Sequence, residues 1–98
     1  MADHPGVIFK DGPTGRRAAL AYGPDIWEIV KFLREVDERG SAALDAAAEI
    51  FAMDASRIST AVSYYGDYRD EIDAEIADAD DASASAEAAW RVQQQLIE

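Results

Sequence analysis

The side chains that could do acid-base or metal chemistry are few in this sequence. His4 is the only histidine, it precedes a proline, and it stands near a chain end where we expect fraying. Asp67, Asp70 and Asp73 recur at three-residue steps, which on a helix form a solvated face far more often than a calcium cluster. We therefore predict no metal site and no catalytic role for His4.

Patterns for nucleophilic catalysis and for phosphate binding are also missing. No serine or threonine has a histidine base in its neighbourhood, and the GPTG run at residues 12–15 lacks the lysine and the spacing of a P-loop. The chain contains no cysteine, which excludes disulfides and thiolate zinc sites. We predict that the protein is not an enzyme, that it has no catalytic residues and that it needs no cofactor.

The charge balance limits the partners that the protein can attract. Nine lysines and arginines stand against twenty aspartates and glutamates, and the resulting charge of −11 opposes non-specific binding to nucleic acid or to an anionic membrane. Residues 61–98 carry two basic and ten acidic side chains, so the negative charge is concentrated there. Any contact with DNA must therefore be local.

The sequence also predicts where the protein resides. No window approaches the roughly 18 apolar residues that span a bilayer, and the first residues lack the pattern of a signal peptide. The absence of cysteine suits a reducing compartment. We expect a soluble, cytoplasmic protein that makes no membrane contact.

The first 22 residues have the pattern of a β-hairpin. Two short runs, residues 7–9 and 16–22, flank a turn cluster of lysine, aspartate, glycine, proline and threonine. An isolated hairpin is marginal in water, so it must pack on helices or pair its edge with a second copy. We predict a homodimer and leave open whether the hairpin or the first helix forms its interface.

Three helices with defined starts are predicted after the hairpin. Asp25 followed by Glu28 resembles a capping box that begins the first helix, and Gly40 suits its C-cap. Ser41 and Asp54 are the expected caps of the second and third helices. In the third helix a stripe at steps of three or four is interrupted by a glycine, which predicts a bend near residues 66–67. The spacing predicts a buried stripe that contains Ile58, Ala61, Val62, Tyr65, Tyr68, Ile72 and Ile76.

The second and third helices have the proportions of a helix-turn-helix. Ala48 permits close approach of the helices, Ala52 occupies the turn position where glycine is common, and Ile58 is the expected buried anchor. The alternative is an ordinary pair of helices, with a hairpin whose charges only protect its edge from aggregation. The candidate DNA-binding residues are Arg16 and Arg17 in the hairpin, and Ser56, Arg57, Ser59 and Thr60 at the start of the third helix.

The last part of the chain, residues 77–98, is here called the arm. Residues 77–85 contain no large apolar side chain and read either as a solvated linker or as an exposed, weakly packed helix. Trp90, Leu96 and Ile97 then follow on an amphipathic face that nothing later in the chain can cover. We expect this face to bind a partner; folding back on its own domain or on a second copy are the alternatives.

Four stretches of the sequence carry a resemblance to a known family. The runs GPTGRRAALA, DIWEIVKFL, DASRISTAVSYYGDYRDEIDAEI and AAWRVQQQLIE resemble small antitoxin-like proteins, long catalogued as a domain of unknown function and similar in role to VapB-type antitoxins. The most specific piece is Tyr64-Tyr65 followed after five residues by Glu71-Ile72-Asp73. Where that family often has a proline between these two elements, this chain has residues 68–70, Tyr-Arg-Asp.

The resemblance implies a mainly α fold with a small N-terminal β-hairpin and a helix-turn-helix core, followed by a C-terminal helical arm. Residues 1–76 would form the dimerisation and DNA-binding domain, and residues 77–98 the acidic linker and toxin-binding helix. The tyrosines and Ile72 would complete the hydrophobic cluster under the recognition helix. In VapB-type pairs an arginine of the arm commonly enters the acidic cleft of the toxin, which makes Arg91 the candidate here. The implied toxin-binding residues are Trp90, Arg91, Gln94, Leu96 and Ile97.

The function that the resemblance implies is that of a type II antitoxin. Such a protein neutralises a PIN-domain-like ribonuclease toxin through its arm and binds operator DNA as a transcriptional autoregulator. The alternative hypothesis is an acidic protein-interaction module that uses the same arm and does not bind DNA. Salt-dependent affinity for DNA separates the two hypotheses.

Overall fold

The computed structural model describes residues 4–12 and 15–98 of the chain. Two strands, β1 (Val7–Gly12) and β2 (Gly15–Leu20), pair as an antiparallel hairpin in which Val7 lies opposite Leu20. Four helices follow: α1 (Ile26–Glu35), α2 (Ser41–Ile50), α3 (Ala55–Asp67) and α4 (Arg69–Ile97). The predicted fold class, mainly α with an N-terminal hairpin, is confirmed; Pro13 and Thr14 of the predicted turn lie outside the described residues.

The hairpin is held by the end of β2 and by the start of α1. Leu20 is 1% exposed and joins the core, and the chain then turns through Tyr22, whose φ is +56°. Asp25 precedes α1, and its N–H donates to the Glu28 carboxylate at 2.9 Å, as the predicted capping box requires. Within the described residues, no helix is long and apolar enough to cross a membrane.

The end of α1 and the start of α2 differ from the prediction. Helix α1 already ends at Glu35, and Gly40 is the N-cap of α2 with φ +61°, so Ser41 is the first residue of α2 and not its cap. A longer α1 would place further carboxylates at the negative end of its dipole, which is unfavourable. Arg39 instead donates to the three carbonyl oxygens of residues 36–38, at 2.7, 3.3 and 2.9 Å.

The turn between α2 and α3 has the backbone that the helix-turn-helix pattern predicts. Ala52 has φ +53°, the left-handed conformation for which glycine is favoured. Asp54 is the N-cap of α3, although its side chain makes no capping hydrogen bond. Ala47 and Ile58 are fully buried where the two helices meet, while Ala48 is half-buried at the edge of the core.

The predicted break near residues 66–67 is confirmed, because α3 ends at Asp67 and α4 begins two residues later. The buried stripe of α3 differs from the prediction: Tyr64 is 1% exposed, whereas Val62 is 41% exposed. The buried face of α3 is centred on Ala61, and Val62 is turned from that centre by about 100°. Tyr64, rather than Tyr68, therefore belongs to the core at this joint.

Helix α4 has two halves with different surroundings. Ile72 and Ile76 are 0% and 5% exposed in the half that packs on α1 and α3. From residue 81 onward every side chain is exposed except the half-buried Gln94. Residues 77–85 lie within this helix, so the exposed-helix alternative holds and the linker alternative is wrong. With 29 residues, α4 is about 43 Å long.

Candidate functional site

The second half of α4, residues 82–97, is here called the free half, and it leaves large apolar side chains in contact with solvent. Trp90 is 58% exposed, Leu96 85% and Ile97 74%, and Gln94 between them is half-buried by its helical neighbours. Val92, which the sequence analysis did not single out, is 65% exposed. The structure thus places the predicted toxin-binding residues together on the last two turns of a helix that extends from the domain.

Trp90 and Ile72 share one face of α4. They are 18 residues apart, which is about five helical turns, so the apolar stripe that anchors α4 in the core continues along the free half. We define the C-terminal stripe as Ala86, Trp90, Gln93 and Ile97. Val92 lies about 160° around the helix from Trp90, on the opposite face.

The free half of α4 carries almost no net charge. Arg91 donates to the Glu87 carboxylate at 2.6 Å, and these are the only charged side chains between residues 82 and 97. Both partners are well exposed, so the pair is worth little to stability. The Arg91 guanidinium can exchange this carboxylate for another one at small cost.

The start of α3 presents a row of short hydroxyl side chains. Ser56, Ser59 and Ser63 are exposed, and with Thr60, His4 and Pro5 they line a surface groove of about 240 Å³. The Thr60 hydroxyl donates to the Ser56 carbonyl at 3.1 Å, which leaves it free only as an acceptor. Such a face can approach a base edge or a phosphate closely, but it offers no positive charge.

Arg57 is not on this exposed face, contrary to the expectation from the sequence. It is half-buried, and its guanidinium donates to the Ala21 carbonyl in the turn after β2. A Cβ added at Gly23 would lie 3.1 Å from that guanidinium, which shows how closely the two pack. Arg57 therefore ties α3 to the hairpin, and its contact with DNA stays a prediction that requires this hydrogen bond to break.

The two hairpin arginines have separate surroundings. The Arg16 guanidinium lies 4.2 Å from the centre of the Phe9 ring and is exposed. Arg17 is half-buried, with its Nε 3.3 Å from Asp25, although the geometry is not that of a hydrogen bond. Of the two, Arg16 is the one that can reach a phosphate.

All nine lysines and arginines lie in the described residues, and each has an intramolecular partner. Arg57 bonds to the Ala21 carbonyl, and Arg16 lies over the Phe9 ring. The other seven contact a carboxylate or a main-chain carbonyl: Lys10, Arg17, Lys31, Arg34, Arg39, Arg69 and Arg91. Helix α3 thus brings no free cation to its exposed face. The electrostatics of this face oppose contact with DNA.

The Tyr64-Tyr65 and Glu71-Ile72-Asp73 elements meet across the joint between α3 and α4. The Tyr64 hydroxyl donates to Glu71 at 3.2 Å and the Tyr65 hydroxyl to Asp73 at 2.8 Å, while Ile72 between the two carboxylates is fully buried. Burial and the nearby carboxylate of Glu71 raise the pKa of Tyr64 far above its usual value. The predicted hydrophobic cluster is confirmed for Tyr64 and Ile72, while Tyr65 is half-buried and Tyr68 is 40% exposed. The cluster holds the direction of α4.

Glu75, one turn beyond this cluster, is enclosed without a hydrogen-bond partner. Neither of its carboxyl oxygens is accessible to solvent, and neither has a donor within the described residues. Burial, followed by the neighbouring Glu71 and Asp25 carboxylates, raises its pKa to about 7; the charge of Arg17 acts in the opposite direction. Glu71 is one helical turn before Glu75 in the sequence, whereas only the tertiary structure brings Asp25 and Arg17 to it and encloses its carboxyl group.

His4 is buried, which overturns the expectation of a frayed end. It is 4% exposed, its Nε2 lies 2.8 Å from the Asp67 carboxylate, and its ring packs edge-on against Tyr64 at 5.2 Å. The residues are 63 positions apart, so the sequence could not reveal the contact. Among the described residues, no group of three or more metal-ligating side chains includes His4.

A second apolar surface lies beside the α3–α4 joint. A groove of about 300 Å³, here called the α1–α3 groove, is lined by Val30, Leu33, Arg34, Val62 and Tyr65. The Arg34 guanidinium is held at its rim, donating to the Tyr65 hydroxyl at 2.8 Å and to Asp73. The helical spacing of Val62 predicts a buried position, so no sequence pattern marks the groove.

Comparison with known protein families, with curated proteins and with solved structures finds no match to this chain.

Proposed function

We propose that this protein is an antitoxin-type inhibitor that captures a partner protein with the free half of α4. The observation that carries the proposal is the exposure of Trp90, Leu96 and Ile97 on a helix that continues well beyond its own domain. Leaving a tryptophan and two large aliphatic side chains in water is unfavourable, and tryptophan is enriched among the residues that dominate the energetics of protein interfaces. A partner groove that covers them recovers that free energy.

The construction of α4 suits a presented binding helix. Its first half is anchored by Ile72 and Ile76, and the Lys31–Asp80 ion pair holds it just before it leaves the domain. The free half is already helical, so less conformational entropy is lost on binding than for an arm that folds on contact. We propose a PIN-domain-like ribonuclease as the partner, with Arg91 directed toward its acidic cleft.

The test asks first whether the neighbouring gene encodes a small ribonuclease, and then whether this protein inhibits that ribonuclease, measured by cleavage of a fluorescent RNA. The full-length protein should abolish cleavage at equimolar ratio, and Trp90→Ala should weaken the complex by a factor of about 30 or more. Val92→Ala is the matched control, because it removes an exposed apolar side chain from the opposite face of the same helix. Undiminished cleavage in the presence of the full-length protein would refute the proposal.

Operator binding is a second candidate function, favoured by the row of exposed hydroxyls on α3. Ser56, Ser59 and Ser63 stand where a recognition helix contacts base edges, after a helix-turn-helix turn with the expected backbone. The charge of −11 and the pairing of the basic side chains oppose this function. They support the alternative, an acidic interaction module in which the helix-turn-helix is only a scaffold.

A DNA shift assay on the upstream region, with and without the partner, decides between these two. Ser59→Asp and Ser63→Asp change exposed side chains, so the fold is kept and any loss of binding reports on the α3 surface. Arg57→Ala is less suitable, because it also removes the contact with the Ala21 carbonyl. No DNA affinity for the unmodified protein or either variant favours the interaction module, whereas equal affinity of all three would show that any DNA binding does not use the α3 surface.

A further inference from the structure

The C-terminal stripe and the α1–α3 groove are both apolar and both uncovered in the described part of the chain. We infer that they cover each other in a symmetric homodimer, in which the C-terminal stripe of each copy docks in the α1–α3 groove of the second copy. This inference concerns the protein by itself and does not depend on the proposed ribonuclease partner, which would compete with the second copy for Trp90 and Ile97. It also answers which surface forms the dimer, in place of the hairpin edge.

The groove has the size and the chemistry for a large apolar side chain. Its volume of about 300 Å³ corresponds to about ten water molecules. Val30, Leu33 and Val62 supply aliphatic walls, and the Tyr65 ring supplies an aromatic one. The one charged lining residue, Arg34, already has its partners at the rim and does not need a ligand carboxylate.

The arm of the same chain cannot fill this groove. Arg34 and Tyr65, which line it, both bond to Asp73, so the groove adjoins the second turn of α4. Trp90 lies 17 residues further along an uninterrupted helix, a distance of about 25 Å. The stripe that reaches the groove must therefore come from another copy.

An antiparallel pair of α4 helices satisfies this requirement for both copies at once. Trp90 of one copy lies level with Asp73 of the other when the two-fold axis passes midway between them, close to residues 81–82. That is where α4 leaves its own domain, since side chains from Asp81 onward are exposed. Each free half then spans the distance to the other domain, and both contacts are equivalent.

The area that such a dimer buries is sufficient for a stable interface. Trp90 is 58% exposed and Ile97 74%, so docking them removes roughly 300 Å² of their own surface and about as much of the groove from water. Two equivalent contacts remove roughly 1,200 Å², the lower end of the roughly 1,200–2,000 Å² of specific interfaces. The near-neutral free half also meets the apolar groove without burying an unpaired charge.

The carboxylates near the two-fold axis predict how the stability of this dimer depends on salt concentration. Asp78 and Asp81 of both copies lie near the two-fold axis, so the two copies repel each other there. Added salt screens that repulsion and should strengthen the dimer. Binding driven by opposite charges, as with DNA or a basic protein, weakens with salt instead.

The experiment is sedimentation velocity of the full chain over a range of micromolar concentrations. The unmodified protein should dimerise, more tightly as salt is added. Trp90→Ala in the stripe and Val62→Asp in the groove should each raise the dimer dissociation constant about tenfold or more. Val92→Ala should leave it unchanged, and circular dichroism should show that Val62→Asp, at a 41% exposed position, keeps the helical fold.

Mixing the two weakened variants tests the reciprocal geometry. The Val62→Asp variant keeps an unchanged arm, and the Trp90→Ala variant keeps an unchanged groove. A heterodimer of the two variants therefore retains one intact contact between that arm and that groove. The mixture should therefore dimerise more tightly than either variant alone. A monomeric unmodified protein, or a dimer that neither variant weakens, overturns the inference; either result leaves the ribonuclease assay unaffected.

Discussion

The Tyr65 hydroxyl donates a hydrogen bond of 2.8 Å to the Asp73 carboxylate, joining the end of α3 to the second turn of α4. Arg34 of α1 donates to both residues, so three helices meet at this contact. The Tyr65 hydrogen bond, together with the Arg34 charge, holds the pKa of Asp73 below its usual value. The contact therefore sets the direction in which α4 leaves the domain.

Tyr65→Phe should lower the melting temperature at neutral pH. Because the pKa of Asp73 is depressed in the folded protein, the stability that the contact adds is present above the ordinary value of 3.8 and is lost as the pH falls below it. The difference between the two proteins should shrink at low pH. Tyr68→Phe is the control, since the Tyr68 hydroxyl makes no hydrogen bond within residues 4–12 and 15–98. If the difference in melting temperature between Tyr65→Phe and the unmodified protein stays constant down to about pH 2–3, on the order of a unit below the ordinary pKa, the effect does not depend on the charge of Asp73.

Glu75→Gln should stabilise the protein at alkaline pH. The enclosed carboxyl has its pKa raised from 4.5 to about 7, so the folded state holds its proton more tightly than the unfolded state does. The free energy of unfolding should then fall as the pH rises from 4.5 to about 7, and Glu75→Gln should remove that fall. At pH above 7 the variant should be more stable by about 1 kcal/mol.

Urea unfolding across this pH range measures the effect of Glu75→Gln. Asp70→Asn, at an exposed position of the same helix, is the matched control and should track the unmodified protein. Equal stability of the Glu75 variant and the unmodified protein at every pH would show that the Glu75 carboxyl is solvated.

Ala52→Gly should stabilise the helix-turn-helix. Ala52 is exposed and has φ +53°, a conformation that costs a residue with a Cβ about 1 kcal/mol relative to glycine. The free energy of unfolding should rise by about that amount. Ala74→Gly, at an exposed interior position of α4, should instead lower it by about 1 kcal/mol. Loss of stability in both variants would be inconsistent with a left-handed Ala52.

His4→Ala should lower the free energy of unfolding by about 2 kcal/mol, because the buried ring packs on Tyr64 and its Nε2 bonds to Asp67. Asp67→Asn should cost less, since the Asp67 side chain is 64% exposed and water can replace it. Chemical unfolding of the two variants gives both values. A neutral His4→Ala would mean that the first described residues do not pack on the α3–α4 joint.

Features that depend on neighbouring residues could be predicted from the sequence. The hairpin, the helix starts at Asp25 and Asp54, the turn at Ala52 and the break after residue 66 all follow from glycine, proline and capping side chains. The end of α1 could not: the sequence favours Gly40 as its stop, whereas α1 ends at Glu35 and Arg39 binds the carbonyl oxygens of residues 36–38. The free face of the arm was also visible in its periodicity.

The sequence by itself thus determined the order of the elements and the amphipathic end of α4, because turn chemistry and helical period act over a few residues. Only the tertiary structure decided which charges are available, since the partner of Arg57 is 36 residues away and that of His4 is 63 away. It also decided that Val62 faces a groove and that Glu75 is enclosed. Burial and ion pairing depend on which helices pack together, and that packing is a property of the whole chain.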